Sequence, residues 1–430
     1  MLSVRGQLRV PGDKSISHRS LILAALAEGE SDIRGISDAA DIRATVTVLR
    51  SLGVALPALS TSMRVEGVGL RGLTSPRGAL DCGNSGTTAR LIAGVVAACD
   101  FSARFVGDES LSRRPMKRIA EPLTAMRARF EFEGGDGLPF IVHGGDLKSA
   151  TWNTGGSSAQ VKGAILLAGL VAGVDVRVHE KSLSRDHTER LLRSMGADIR
   201  VDRENHVSLH PTARLSPLTI DVPADPSSAA FFVALASLAD ESELVLSDVC
   251  LNSTRTGFLR AMHGMGAIIS REDAKTCNGD EVGSLRVLPG ILTGIAITEA
   301  EVPALIDELP LLACVAAGAG VDLEISGAEE LRAKESDRIK TVVSNLIAIG
   351  ARAEERKDGL RVWGPRRELH GTIDPAGDHR IAMAFGIVGA LPGNRIKIES
   401  PACVSVSYPT FWNDLKRVVG YCAGSDGCSS

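Results

Sequence analysis

Ser157-Ser158-Ala159-Gln160-Val161-Lys162-Gly163-Ala164-Ile165-Leu166-Leu167-Ala168-Gly169 begins polar and then runs apolar and small-residue-rich. Past its first turn it has no continuous polar stripe, so a helix here is buried on every side. The same design recurs at Ser15-Ile16-Ser17-His18-Arg19-Ser20-Leu21-Ile22-Leu23-Ala24-Ala25-Leu26 and at Asn84-Ser85-Gly86-Thr87-Thr88-Ala89-Arg90-Leu91-Ile92-Ala93-Gly94. It returns near Pro226-Ser227-Ser228, Asp307-Glu308-Leu309-Pro310 and Asp378-His379-Arg380. The starts are spaced by roughly 70 to 80 residues, the mark of a repeated supersecondary unit.

A second element alternates with the first: an amphipathic helix stopped by glycine and followed by a short strand. Its copies end at Gly53, Gly196, Gly266 and Gly350, where glycine supplies a left-handed C-terminal stop. A weaker copy spans 117–133 and a truncated one 411–420. Each unit therefore holds two helices and several short strands. Val10-Pro11-Gly12-Asp13-Lys14-Ser15 also resembles Val222-Pro223-Ala224-Asp225-Pro226-Ser227, three units later. The expected organisation is one three-unit domain over 14–222, a second over 1–13 plus 223–420, and a disordered tail at 421–430. A ligand is expected between the halves.

Composition excludes more than it selects. The 430 residues suffice for two or three domains with large cores. A net charge of −4 and only 3% aromatic residues give no reason to expect a nucleic-acid partner. No run is long and apolar enough for a bilayer, and no signal-peptide pattern opens the chain, so a cytoplasmic protein without a membrane partner is expected. The eight cysteines include no C-x-x-C pair, which argues against a zinc site or disulfide scaffold.

Polar residues collect at the starts of the apolar helices, where free N–H groups and the positive dipole end favour anions. Lys14, Ser15 and Arg19 form a phosphate or carboxylate cradle; read structurally, Asp13 or Ser15 is only a cap and the bases are solvated. Gly83-Asn84-Ser85-Gly86 lacks the lysine of a nucleotide-binding loop, and no G-x-G-x-x-G is present. Arg113-Arg114-Pro115-Met116-Lys117-Arg118 is either a solvated face or a source of guanidinium for an anion. Asp307-Glu308 puts two carboxylates before apolar residues, where burial suits acid–base use. Lys334-Glu335-Ser336-Asp337-Arg338 and Asp378-His379-Arg380 read equally as capped helix starts. Together these residues suit a substrate with several negative charges, with carboxylates left to move protons. No Ser/His/Asp order or metal-ligand spacing competes.

Nine motifs in chain order resemble the 5-enolpyruvylshikimate-3-phosphate synthase family. They are Gly12-Asp13-Lys14-Ser15, Gly83-Asn84-Ser85-Gly86-Thr87, Arg114-Pro115-Met116, Ser158-Ala159-Gln160-Val161-Lys162, Arg185-Asp186-His187-Thr188-Glu189, Asn252-Ser253-Thr254-Arg255, Asp307-Glu308, Lys334-Glu335-Ser336-Asp337-Arg338 and Asp378-His379-Arg380. The fourth and fifth are similar to forms of the family's second subclass, which includes glyphosate-tolerant members; Gly86 resembles the sensitive pattern. The sister transferase acting on UDP-N-acetylglucosamine is expected to carry a cysteine before its Arg-Pro, and Gly107–Pro115 has none.

The resemblance implies an α/β fold of two domains, an inside-out α/β barrel of six βαβαββ units, three per domain. It implies transfer of the enolpyruvyl group of phosphoenolpyruvate to shikimate 3-phosphate, in the route to chorismate and aromatic amino acids. It assigns shikimate 3-phosphate to Lys14, Ser15, Arg19, Ser158, Ala159, Gln160, Arg185, Asp307 and Lys334. Phosphoenolpyruvate falls to Lys14, Gly86, Arg114, Gln160, Arg338 and Arg380. Asp307 takes the hydroxyl proton, Glu335 protonates the methylene carbon, and Lys14 assists. Its implied partners are these two small molecules alone; no cofactor or metal is expected, and the chain is expected to be a monomer. One departure stands out: Val404-Ser405-Val406-Ser407-Tyr408-Pro409 lacks the lysine that many members carry there.

Overall fold

The computed structural model describes residues 1–421. Among the described residues six parallel strand pairs carry the repeat, four of them joined through one of the apolar helices. In the second repeat, strand Leu80–Asp81 leads into helix Gly86–Ala97 and strand Ser102–Val106, then helix Lys117–Ala125 and the strands Arg129–Phe132 and Phe140–His143. This βαβαββ order recurs from Ala150 to Leu209, and from Ile295 to Trp363 with short 3₁₀ turns between. Leu80–Asp81 pairs in parallel with Phe105–Val106, Ala150–Thr154 with Val176–Glu180, and Ile295–Ile297 with Leu323–Ile325. Right-handed crossover through a buried helix is the usual way to make such pairs.

Two repeats borrow their first strand from a distant part of the chain. Leu2–Leu8 pairs in parallel with Glu241–Leu246 of the fourth repeat, whose own helix is Pro226–Leu238. Thr219–Asp221 pairs in parallel with Asp32–Arg34 of the first repeat, whose helix is Lys14–Leu26. Accordingly, contacts divide the chain into one unit of Pro11–Pro223 with Thr276–Asp280, and another of Met1–Val10, Ala224–Lys275 and the chain from Glu281 on. The sequence places these crossings at 13/14 and 222/223; the contacts place them at 10/11 and 223/224. Tyr421, expected to begin the tail, ends a strand that pairs with Leu2. The rest of the expected tail, 422–430, lies outside the described residues.

The apolar helices are buried past their first residues, as their composition requires; Ile16 to Leu26 and Val161 to Val171 are all buried. Small residues set how closely they approach. A Cβ on Gly94 would lie 2.3 Å from the Ala164 carbonyl oxygen, and one on Gly163 would lie 2.8 Å from Leu91 Cδ2. The helices Gly86–Ala97 and Ala159–Ala172 therefore pack almost backbone to backbone, and a larger residue would force them apart. Gly53, Gly196, Gly266 and Gly350 have φ of 92, 89, 98 and 93°, the left-handed stop expected of them. At the matching place in the weaker copy stands Arg127 with φ 79°. The geometry persists there without glycine, which is why the signal fades at 117–133.

Candidate functional site

In the Pro11–Pro223 unit, three helix starts carry the basic residues. Asp13, buried, caps the first by accepting from the Ile16 N–H at 2.8 Å. Asp13 is therefore the cap, and Ser15 is released from that duty. The Lys14 ammonium meets Asp41 at 2.7 Å. Arg19 donates from Nε to Thr188 Oγ1 (2.7 Å), from Nη1 to the Ser15 carbonyl (3.0 Å) and from Nη2 to the Ala159 carbonyl (3.4 Å). These bonds join Ser15, Arg19 and Ala159. Ser158 caps the third helix, accepting from Val161 N–H at 3.4 Å, and its hydroxyl proton is still available to an anion.

Around Gly86 the structure gathers Arg90, Arg114 and Gln160. Arg90 donates to Gln160 Oε1 at 2.7 Å and to the Pro115 carbonyl at 3.1 Å. Gln160 donates to Thr87 Oγ1 at 2.9 Å, and Arg114 to Asn84 Oδ1 at 2.9 Å. A Cβ on Gly86 would stand 2.7 Å from Arg90 Nη1 and 3.4 Å from Arg114 Nη1. Only glycine leaves both guanidiniums in place. Of the basic run 113–118, Arg114 is buried here, whereas Arg113 is exposed and pairs with Glu109. Arg90 lies on the repeated apolar helix outside the nine motifs; its partner Gln160 is 70 residues away, and nothing local flags it.

Behind these residues Lys162 is buried between Glu180 (2.7 Å) and Glu189 (2.6 Å). Burial opposes charge on Lys162, yet the two carboxylates outweigh it and raise its pKa. Burial pushes the Glu189 carboxyl up despite the ammonium beside it. Arg185 lies in the turn between Glu180 and the helix His187–Ser194. Sequence spacing showed no metal-ligand cluster, but among the described residues Asp186, His187 and Asp280 lie within 4.8 Å of one another. Arg190 bridges the two carboxylates, at 2.8 Å to Asp186 and 3.4 Å to Asp280, so a resident guanidinium already balances that donor set.

The other unit builds its cluster around Arg338, 1% exposed. Nε donates to Asp378 Oδ2 at 2.7 Å, Nη1 to Asp307 Oδ1 at 3.2 Å and Nη2 to Glu335 Oε2 at 2.6 Å. Asp378 also caps its own helix through the Arg380 N–H at 3.0 Å. Arg380 stands 3.6 Å from Asp307 and 3.6 Å from Glu308. Lys334 has its pKa lowered by burial, with Asp307 acting against the shift. The helix here begins at Arg338 with Asp337 as its cap, so Lys334 and Glu335 sit in the preceding turn. Glu308, bonded to Ser227, and Arg255, which donates to Ser227 Oγ at 2.9 Å and Asp225 at 3.1 Å, join this polar layer. From the sequence Glu308 is a candidate only as one of two carboxylates, and Arg255 only as part of a motif; their bonds to Ser227 span 81 and 28 residues, which no local pattern shows.

Residues 2–415 match the family profile described as EPSP synthase (3-phosphoshikimate 1-carboxyvinyltransferase). The chain belongs to the EPSP synthase family. It is 45% identical over 423 residues to a 3-phosphoshikimate 1-carboxyvinyltransferase of Persephonella marina, covering 97% of each chain. It is 43% identical over 423 residues to that of Aquifex aeolicus, covering 97% of this chain and 98% of the other. A solved structure of EPSP synthase from Acinetobacter baumannii superposes with a TM-score of 0.84 at 37% identity, covering 98% of both chains. The two-domain enolpyruvyl transferase fold of this family agrees with the repeated βαβαββ order described above.

Proposed function

We propose that residues of these clusters bind shikimate 3-phosphate and phosphoenolpyruvate. The chain is an EPSP synthase: it transfers the enolpyruvyl group from phosphoenolpyruvate to the 5-hydroxyl of shikimate 3-phosphate and releases phosphate. The site assignment rests chiefly on Arg338, whose buried guanidinium holds Asp307 and Glu335 together. Two carboxylates fixed on one cation, with Arg380 and Lys334 adjacent, place proton-transfer groups among groups that attract phosphate and carboxylate.

In this reading Ser15, Arg19, Ser158, Ala159, Arg185 and Lys334 hold shikimate 3-phosphate, while Gly86, Arg114, Arg338 and Arg380 line the place of phosphoenolpyruvate. Lys14 and Gln160 touch both, and Arg90 joins the phosphoenolpyruvate set through Gln160 and Gly86. Asp307 removes the 5-hydroxyl proton as that oxygen bonds to C2 of phosphoenolpyruvate, and Glu335 delivers a proton to C3. In the resulting tetrahedral adduct the C2–O bond to phosphate breaks, the leaving phosphate takes the proton held on Asp307, and Glu335 takes back a C3 proton, forming the enol ether. Lys and Arg stabilise the charge that develops on the phosphate and carboxylate oxygens. Such cations do the work often given to a metal, so EDTA is expected to leave turnover unchanged; loss restored by Mg²⁺ would contradict this. No described helix is long and apolar enough to cross a membrane; we place the enzyme in the cytoplasm as a monomer, which sedimentation of the purified chain would check. The direct test is phosphate release by the folded protein. Release must need both substrates, and its absence would overturn the reading.

A further inference from the structure

We infer that Glu180 is a positioning residue for the shikimate 3-phosphate site: its buried carboxylate anchors the turn that presents Arg185. This rests on the reading that Arg185 binds that substrate. Glu180 ends the strand Val176–Glu180 and is fully buried. Its Oε2 accepts from Lys162 Nζ at 2.7 Å and from the Ser184 N–H at 3.2 Å, the amide just before Arg185. The same turn is tied a second time, where Ser157 Oγ donates to the Ser182 carbonyl at 2.6 Å, one residue before Ser158.

Charge balance does not account for Glu180. Glu189 already supplies Lys162 with a counter-ion at 2.6 Å, on a helix where the adjacent Thr188 accepts from Arg19. A second buried carboxylate on one ammonium is costly, and Glu180 Oε1 and Glu189 Oε2 are buried without a hydrogen-bond partner. What Glu180 adds beyond Glu189 is the acceptor for Ser184. Through Lys162, three segments are fixed to one another: the helix start with Ser158 and Gln160, the Arg185 turn, and Thr188 under Arg19.

Two variants of nearly equal size separate the roles. Both Glu180→Gln and Glu180→Leu leave a balanced Lys162–Glu189 pair; only the glutamine keeps an oxygen for the Ser184 N–H. Glu180→Gln is expected to hold KM for shikimate 3-phosphate within about twofold of wild type. Glu180→Leu is expected to raise it about tenfold, as losing one buried hydrogen bond does, with kcat and KM for phosphoenolpyruvate within about twofold. Ser184 amide exchange should be slow in wild type and Glu180→Gln, and fast in Glu180→Leu. Equal KM values in the two variants would overturn the inference. So would a KM for phosphoenolpyruvate that rises as much as that for shikimate 3-phosphate, the sign of general distortion. If Glu180→Leu fails to fold, Glu180→Met, of similar length and without an oxygen, takes its place in the same comparison. A wild type without turnover would count against the proposed function, while Ser184 exchange would still decide whether Glu180 holds the turn.

Discussion

The two clusters hold their guanidiniums in different ways. In the Pro11–Pro223 unit, Arg19 and Arg90 lean on carbonyl, hydroxyl and amide oxygens, and Arg114 on Asn84. In the other unit, Arg338 and Arg380 lean on carboxylates. A neutral acceptor fixes a guanidinium without cancelling its charge. A carboxylate cancels the charge but gains a fixed position, which suits proton transfer.

Arg338→Gln tests the contrast hardest. It strands Asp307, Glu335 and Asp378 around a neutral side chain, and stability should fall by about 3–5 kcal/mol in urea unfolding. Arg19→Gln, which gives up the bonds to Thr188 and to the Ser15 and Ala159 carbonyls, should cost less; equal losses would erase the distinction.

Next, Glu335→Gln should lower kcat by roughly 10²-fold or more, with affinity for shikimate 3-phosphate retained in calorimetry. Near-normal turnover would reduce Glu335 to a structural partner of Arg338.

Gly86→Ala probes the first cluster with one methyl group 2.7 Å from Arg90 Nη1. Moving that guanidinium should raise KM for phosphoenolpyruvate. Glyphosate, which is longer, should lose about 1 kcal/mol more than phosphoenolpyruvate does, seen by comparing inhibition and Michaelis constants for both proteins. Wild type indifferent to millimolar glyphosate would show that Gly86 does not govern this discrimination.

The smallest effect concerns a buried imidazole beside the same cations. His18, buried with Nδ1 2.7 Å from Thr45 Oγ1, has its pKa lowered, first by burial and then by Lys14 and Arg19. The unfolded chain therefore takes up this proton before the folded one. His18 contributes stability above its unfolded pKa near 6.5, and that contribution is lost as pH falls toward the lower folded value. Between pH 7 and pH 6 the wild type should lose about 0.7 kcal/mol that His18→Gln does not lose, measured by unfolding at each pH. Parallel pH profiles would contradict the assignment.

Much of this was legible in the residues. Apolar small-residue helices, capping residues such as Asp13 and Ser158, and glycine stops act within a turn or two, so the repeat and the helix starts show in the local pattern. The motifs then pointed to Lys14, Asp307, Glu335 and Arg338. What escaped were relations between distant residues. Arg90 meets Gln160 across 70 positions, and Glu308 meets Ser227 across 81. His187 meets Asp280 across 93, and Lys162 draws in Glu180 as well as Glu189. The strand exchange, with Leu2–Leu8 in the fourth repeat and Thr219–Asp221 in the first, was visible only as a Pro-marked similarity of two segments. By itself the sequence determined which helices form, which faces they bury and which chemical groups stand at their starts, because those depend on period and on neighbours along the chain. Tertiary structure alone decided which carboxylate or oxygen each cation faces. That depends on how closely Gly94 and Gly163 let two helices approach, and on which strands pair, and neither is written within a single segment.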